Sequence, residues 1–328
     1  MPKKGKKEKE KVIDIKEFID TTRKDITKVI KEKYGKSEAE KILGGKQFRG
    51  VLTVLSWRAT GGKDEEYKKV LDTAAAVEGL HGSSLILDDI FDGDKMRRGK
   101  ESLWVAEGIG NAVLTAHHVI TSALDTILNR GTDVLQSVIS GWSKAVEGEK
   151  KDLGIMKKIG EEIVTKPSIP EEAYFDVISK KTASFFATAA RSGAQVAGAD
   201  GDTVKTMEEY GEACGIAYQL SDDLVDIGKG KLEGAMILPI IVASSGEKVV
   251  RDKLLSFALG GTLKPSEILS EMNINIKGFF VPAIKKYVKK AQELAETISD
   301  SEYKKLLQEY PVYISKEMLK EGGIKIRM

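Results

Sequence analysis

With 328 residues the chain is long enough for one large domain or two ordinary ones. Its 52 Lys and Arg nearly cancel its 50 Asp and Glu, leaving a net charge of +2; this excludes a nucleic-acid binder that works by bulk charge, and aromatics at 6% offer few platforms for stacking bases. The lone cysteine, Cys214, rules out an internal disulfide and a cysteine metal site, and points to a reducing, cytoplasmic setting.

Residues 1–11, MPKKGKKEKEK, are charged and no apolar core follows them, so they read as a disordered lead-in rather than a signal peptide. A single domain is expected over residues 12–328. From Ile15 to Ile30 apolar residues fall at 15, 18, 19, 26, 29 and 30, one stripe of an amphipathic helix that Gly35 should stop. The same period predicts helices over Lys46–Ala59, Tyr67–Asp92, Asn111–Leu128, Asp133–Ala145, Glu171–Ala197, Thr203–Ile227 and Pro282–Ile298, parted by Gly, Pro, Asn and Asp clusters. No run alternates as a strand does. Segments such as VLDTAAAVEGLHGSSLILDD are apolar nearly all round and belong in the middle of a bundle. The longest apolar runs fall short of a membrane span and mean hydropathy is negative, so a soluble protein without stable membrane insertion is expected. The fold class is all-α, one large helical bundle.

Two stretches share one form. LILDDIFD (85–92) returns as YQLSDDLVD (218–226), each closing a long apolar helix. On a helix Asp88 and Asp92 are i and i+4 and share a face, with Asp89 on the adjoining edge; Asp222, Asp223 and Asp226 repeat the arrangement. Like charges so spaced cost about 0.2–0.5 kcal/mol per pair on an exposed helix, and desolvation adds to that at a buried end. For the first cluster alone, Lys95, Arg97, Arg98 and Lys100 would be neutralisation enough. Two matched clusters point instead to divalent cations. Carboxylates suit Mg²⁺, which prefers a few carboxylates together with substrate phosphates, so a phosphorylated ligand is the expected third partner.

Cations for such a ligand are at hand. GGKQFRG sets Lys46 and Arg49 at i and i+3 behind Gly44 and Gly45; a helix starting there would turn both side chains and its N-terminus toward one anion. SKKTASFF offers Lys180, Lys181 and Thr182 in mid-helix, where a core-facing lysine needs an acid or phosphate and a solvated lysine pair is the equal alternative. His81 alone reads as a core histidine, but it stands two helical turns before Asp88, on the same face.

Taken in order, GGKxxR, DDxxD followed by RRG, a Lys-Thr pair and a Gln just before a second DDxxD resemble the trans-isoprenyl diphosphate synthases (polyprenyl synthetases), over about Gly44 to Pro239. The resemblance implies an all-α bundle with two aspartate motifs facing each other across a central active-site cavity. It implies an allylic diphosphate held by three Mg²⁺, ionised, and attacked by isopentenyl diphosphate, so that the chain grows by one isoprene unit. Carried over residue by residue, Asp88, Asp92, Asp222 and Asp226 would hold metal, with Asp89 and Asp223 in support. Lys46, Arg49, His81 and Arg98 would bind isopentenyl diphosphate, and Arg97, Lys181 and Gln219 the allylic diphosphate. Thr182 would stabilise the cation. A homodimer is implied by the same analogy.

The sequence also departs from that pattern. The loop after the second cluster is short, DIGKGKLEGAMILP, with Ala235 and Met236 near the position of a family lysine; Lys229 and Lys231 are the candidates for its charge. Ala116 and His117 replace a Gly-Asp, and GEKKD carries Glu149 in place of a glutamine. A catalytically altered regulatory subunit is therefore one rival reading. A terpene cyclase is another, although it would not need the Lys46, Arg49, His81 and Arg98 set. The resemblance places the residues four and five before Asp88 under the growing product; here they are Ser84 and Ser83, small side chains that leave that floor open, with Leu80 a deeper floor. A product of C20–C25 or longer follows, unless another helix supplies the stop. The terminal EGGIKIRM reads either as a basic cap over the diphosphates or as a frayed end.

Overall fold

The computed structural model describes residues 13–158, 169–231, 234–243, 253 and 275–328. The expected lead-in over 1–11 lies outside the described residues. Helix α1 (Ile15–Ile42) opens on Asp14, whose carboxylate accepts the N–H groups of Lys16 and Glu17 at 3.0 Å. As expected, the helical backbone breaks at Gly35, which takes φ 75°; a second helical segment follows the kink and runs to Ile42.

Next come α2 (Phe48–Ala59) and α3 (Tyr67–Phe91), then a hairpin of β1 (Met96–Arg97) and β2 (Lys100–Glu101). Helices α4 (Leu103–Glu107), α5 (Ile109–Leu128) and α6 (Thr132–Lys158) follow. The segment expected as one helix over Glu171–Ala197 is α7 (Ile169–Ile178), a π-helical turn at Ser179–Ala183, and α8 (Ser184–Val196). Then come α9 (Gly201–Gly228), a 3₁₀ turn at Gly234–Met236, α10 (Ile237–Ala243), α11 (Ile276–Glu296) and α12 (Lys304–Glu321). Pro282, expected to open a helix, lies inside α11, which starts at Ile276 under the cap of Asn275.

Helix α3 is the axis of the bundle and packs against α1, α2, α5 and α8. Its run of Ala74, Ala75 and Ala76, all at 0% exposure, lets neighbours approach on every side, which is why its sequence shows no polar face. Helix α9 plays the same part opposite, against α8, α11 and α12. The main apolar core joins α1, α2, α3, α8, α9 and α12 around Trp57, Phe186, Tyr210 and Tyr310. Burial of each such side chain contributes about 1.5–3 kcal/mol. Among the described residues no helix is long and apolar enough to cross a membrane.

Candidate active site

Helices α3 and α9 bring their C-terminal ends, and so the two aspartate clusters, to one mouth of the bundle. A cleft of about 720 Å³ there is lined by Lys46, Arg49, His81, Ser84, Asp88, Arg97, Arg98, Lys181, Thr182, Gln219 and Asp222. A second hollow of about 410 Å³ shares Lys181, Thr182, Gln219 and Asp222 with it and adds Asp92, Asp152, Asp223 and Asp226. Two of the expected residues are elsewhere. Ser83 is fully buried, its hydroxyl donating to the Gly79 carbonyl at 2.9 Å, and Leu80 is buried behind the wall. A slightly larger hollow, about 790 Å³, lies between α6, α8 and α9 and contains none of the motif residues.

The first cluster divides its labour. Asp89 is buried and accepts from Arg97 Nε at 2.5 Å. Asp88 and Asp92 make no ion pair among the described residues. Burial, with Glu149 nearby, pushes Asp88 up to about 7, and burial raises Asp92 as well.

The arginine pair is aimed by a two-residue turn, with Arg98 at φ 53° and Gly99 at φ 76°, the left-handed pair that tight hairpins need. A left-handed arginine is uncommon, and it holds because the Arg98 guanidinium is anchored on the Leu43 carbonyl at 3.2 Å. That guanidinium lies against the Gly44–Gly45 backbone; a Cβ on Gly45 would stand 2.8 Å from its Nη2. The double glycine before Lys46 is explained by this approach.

Lys46 and Arg49 do not share a helical turn as expected. Helix α2 starts at Phe48, and Gln47 at φ 52° stands between Lys46 and the helix. Both still line the cleft. Arg49 is buried, lies 4.6 Å from the Phe186 ring, and places Nη1 2.9 Å from His81 Nε2. A guanidinium only donates, so Nε2 accepts and the imidazole proton sits on Nδ1, a buried atom with no partner among the described residues. Burial, then Arg49 and Arg98, hold the His81 pKa well below its ordinary value, so the ring is neutral. Lys46 Nζ lies 2.6 Å from Glu321 Oε1 at the end of α12.

Lys181 is presented by the π-helical turn, a distortion that frequently marks functional sites. The turn packs on α6 at Gly148, where a Cβ would be 2.3 Å from Lys181 N. Its ammonium is 2.8 Å from Glu149 Oε2 and 2.6 Å from Asp152 Oδ2. Burial opposes its charge, but Asp152 and Glu149 outweigh burial and hold it above the usual lysine range. Asp152 Oδ1 also accepts the Ala235 N–H at 2.7 Å, tying the short loop after α9 to the site. From that loop Lys231 lines the cleft and lies 3.7 Å from Asp226, with Lys229 at 3.9 Å; residues 232–233 lie outside the described residues.

Behind the second cluster runs a chain of hydrogen bonds. Thr182 donates to Gln219 at 2.7 Å, Gln219 to Asp223 Oδ1 at 2.7 Å, and Tyr174 to Asp223 Oδ2 at 2.5 Å. Asp223 is thus occupied inside the fold. Asp222 makes no ion pair among the described residues, and burial pushes it up to about 6.

The donor set fits a hard cation shared with a ligand. Among the described residues no three carboxylate, imidazole or thiol groups converge tightly enough to hold an ion by themselves. Asp88, Asp92 and Asp222 are hard oxygen donors, and Mg²⁺ is commonly held by one or two carboxylates with substrate phosphates completing its shell.

Several side chains at the site carried no local signal. Glu78 accepts the Gly50 N–H at 2.6 Å and steadies the start of α2; Tyr174 holds Asp223; Phe185 and Tyr218 line the cleft; Glu321 holds Lys46. The departure at Glu149 was visible, but its pairing with Lys181 was not.

An all-α bundle with two facing aspartate clusters and a cationic wall defines the class of isoprenoid synthases. A model of the polyprenyl synthetase family matches residues 32–233. A short chain isoprenyl diphosphate synthase of Methanothermobacter thermautotrophicus is 31% identical over 238 residues, which cover 67% of this chain and 70% of that one. A geranylgeranyl diphosphate synthase of Methanosarcina mazei is 31% identical over 240 residues, 68% and 70% of the two chains. The solved decaprenyl diphosphate synthase of Rhodobacter capsulatus shares the fold, with a TM-score of 0.78 over 93% of this chain and 99% of that one at 20% identity. The chain belongs to the polyprenyl synthetase family. It is a trans-prenyltransferase that elongates prenyl diphosphates, and the family's chemistry is metal-dependent.

Proposed function

We propose that the protein condenses isopentenyl diphosphate with an allylic diphosphate in a Mg²⁺-dependent reaction, yielding a product of C20–C25 or longer. The observation that carries this is the opposition, across one cleft, of Asp88 and Asp222, without an ion pair among the described residues, to the cationic set Arg49, Arg97, Arg98 and Lys181, with Asp92 in the adjoining hollow. Asp88, Asp92, Asp222 and Asp226 are the residues that would hold the ions, three by analogy. When bound, the metal supplies Lewis-acid stabilisation of the departing diphosphate.

The chain's own residues do the rest. Arg97 and Lys181 orient the allylic diphosphate and stabilise the charge that develops as it leaves. Lys181 must exchange Glu149 and Asp152 for diphosphate oxygens in doing so. Arg49, Arg98, Lys46 and neutral His81 bind isopentenyl diphosphate, with the His81 Nδ1–H an available donor. Thr182, held through Gln219 by Asp223 and Tyr174, stabilises the carbocation with its oxygen, Gln219 adds to the allylic diphosphate site, and the apolar wall excludes water. Ser84 leaves the α3 side of the cleft open to a growing chain.

A homodimer is part of this reading. Ile139, Val146 and Leu153, all exposed, recur every seven residues along one face of α6, and α5 also exposes Ile109, Leu114 and Leu128; such apolar surface suits a second copy. The buried, unpaired Cys214 supports a reducing compartment.

Labelled isopentenyl diphosphate offered with C5, C10, C15 or C20 allylic diphosphates tests the proposal. Elongation that EDTA abolishes and Mg²⁺ restores is expected. No turnover by folded protein with any primer would sink it and bring forward the regulatory-subunit reading, for which Glu149 at Lys181 is the specific support.

A further inference from the structure

The cleft and the apolar interior beneath it meet at one side chain. Among the described residues, Phe185 alone both lines the cleft and belongs to the apolar cluster formed by Ala76, Leu80, Ala123, Val138 and Ala145. A product growing away from Asp88 along α3 passes Ser84, one turn on. Leu80, the next turn of about 5.4 Å, already lies in that cluster at 3% exposure and Ala76 at 0%. The Phe185 ring stands where the cleft meets this cluster. It is 6% exposed and held from two sides, with the His81 ring 5.9 Å away and Trp142 edge-on at 5.8 Å and 79°. Edge-to-face pairs are a favoured aromatic geometry, so the ring is braced rather than free to swing. The buried side chains around it are Ala76, Ala123, Ala145, Val134, Val138, Leu80 and Ile127, of which Phe185 is the one aromatic ring, with Trp142 packed against them.

We propose that Phe185, braced by Trp142, is the stop that sets product length, in place of the serines of α3. The assignment rests on the chain-elongation reading above. Ser84 sets only the width at the cleft, which Ser83 does not line. Phe185 also stands 5.9 Å from the Arg49 guanidinium, so a role in holding the isopentenyl diphosphate site is the competing account.

The test is the product distribution of wild type, Phe185→Leu, Phe185→Ala and Trp142→Ala with labelled isopentenyl diphosphate and a C15 primer. The main product should lengthen by at least one C5 unit in Phe185→Ala, less in Phe185→Leu, with a longer tail in Trp142→Ala. Adding Ala123→Leu to Phe185→Ala should refill the space the ring leaves and shorten the product again. Should Phe185→Ala fail to fold, the Leu and Trp142 variants give the same readout. An unchanged main product in active Phe185→Leu and Trp142→Ala overturns the assignment, as does a raised KM for isopentenyl diphosphate with no change in length. If wild type elongates no primer, it is the elongation reading that fails.

Discussion

Glu321, at the C-terminus of α12, holds the ammonium of Lys46 at 2.6 Å. The two belong to opposite ends of the chain, and one of them is proposed to bind substrate. The pair is half open to solvent, with Lys46 at 27% and Glu321 at 48% exposure. Pairs of this kind are worth about 0.2–1 kcal/mol. Isopentenyl diphosphate must displace the carboxylate, so Glu321→Gln should lower its KM roughly 1.5- to 5-fold with kcat unchanged. Steady-state kinetics at fixed allylic diphosphate decide this; an unchanged or higher KM speaks against competition at Lys46.

Among the described residues, desolvated Asp88 has no cationic partner in hydrogen-bond contact, and neither has Asp222. Asp88→Asn and Asp222→Asn should each cut kcat/KM by about 10²-fold or more, the scale of losing one preorganised electrostatic contact. Both variants should nevertheless melt at or above the wild-type temperature in EDTA, because the cost of burying a charge is removed. Loss of activity together with a lower Tm would instead mark the aspartates as structural.

The metal-free protein should lose stability as pH rises. Burial holds Asp88 at about 7 and Asp222 at about 6, against an ordinary carboxylate near 3.8. Between about pH 4 and 7 the native state therefore binds more protons than the unfolded chain, so its stability falls as pH rises through that window. Melting in EDTA should occur at higher temperature at pH 5.5 than at pH 7.5. Mg²⁺ with inorganic diphosphate should shrink the difference by favouring the ionised carboxylates. A difference of opposite sign in EDTA would refute the sign argued for these groups.

Tyr174 donates to Asp223 from a fully buried position. Tyr174→Phe leaves one carboxylate oxygen without its donor and should cost about 1–3 kcal/mol in urea unfolding. Because Asp223 also anchors Gln219, and Gln219 accepts from Thr182, kcat should fall too, with KM for isopentenyl diphosphate unchanged. A stable variant of full activity would show that the chain of hydrogen bonds does not position Thr182.

The terminal Ile324 and Ile326 pack against the apolar cluster around Val225 and Leu319, with Lys325 and Arg327 turned outward. Removing residues 322–328 should therefore lower Tm and leave KM for isopentenyl diphosphate unchanged. A several-fold rise in that KM with Tm intact would support the basic cap.

Much of this protein is local, and the sequence by itself determined that part. The helical period located α2, α3, α5 and α9 closely, because apolar spacing depends only on neighbours along the chain. Asp88 and Asp92 share a face for the same reason, and Arg97 reaches Asp89 from eight residues away across the turn at Gly93. Tertiary structure decided which charges were spoken for. Lys46, expected to face a ligand anion, meets Glu321; Lys181 meets Glu149 and Asp152; Ser83, small and near Asp88, turns inward. The π-helical turn at Ser179–Ala183 slips the apolar stripe by one residue, and the slip does not show because Ser184–Ala190 are buried on every side; the close approach of Gly148 makes room for the turn. The partners come from helices far apart in the chain, and a helix's own residues do not say which neighbour's side chains will fill the space it leaves.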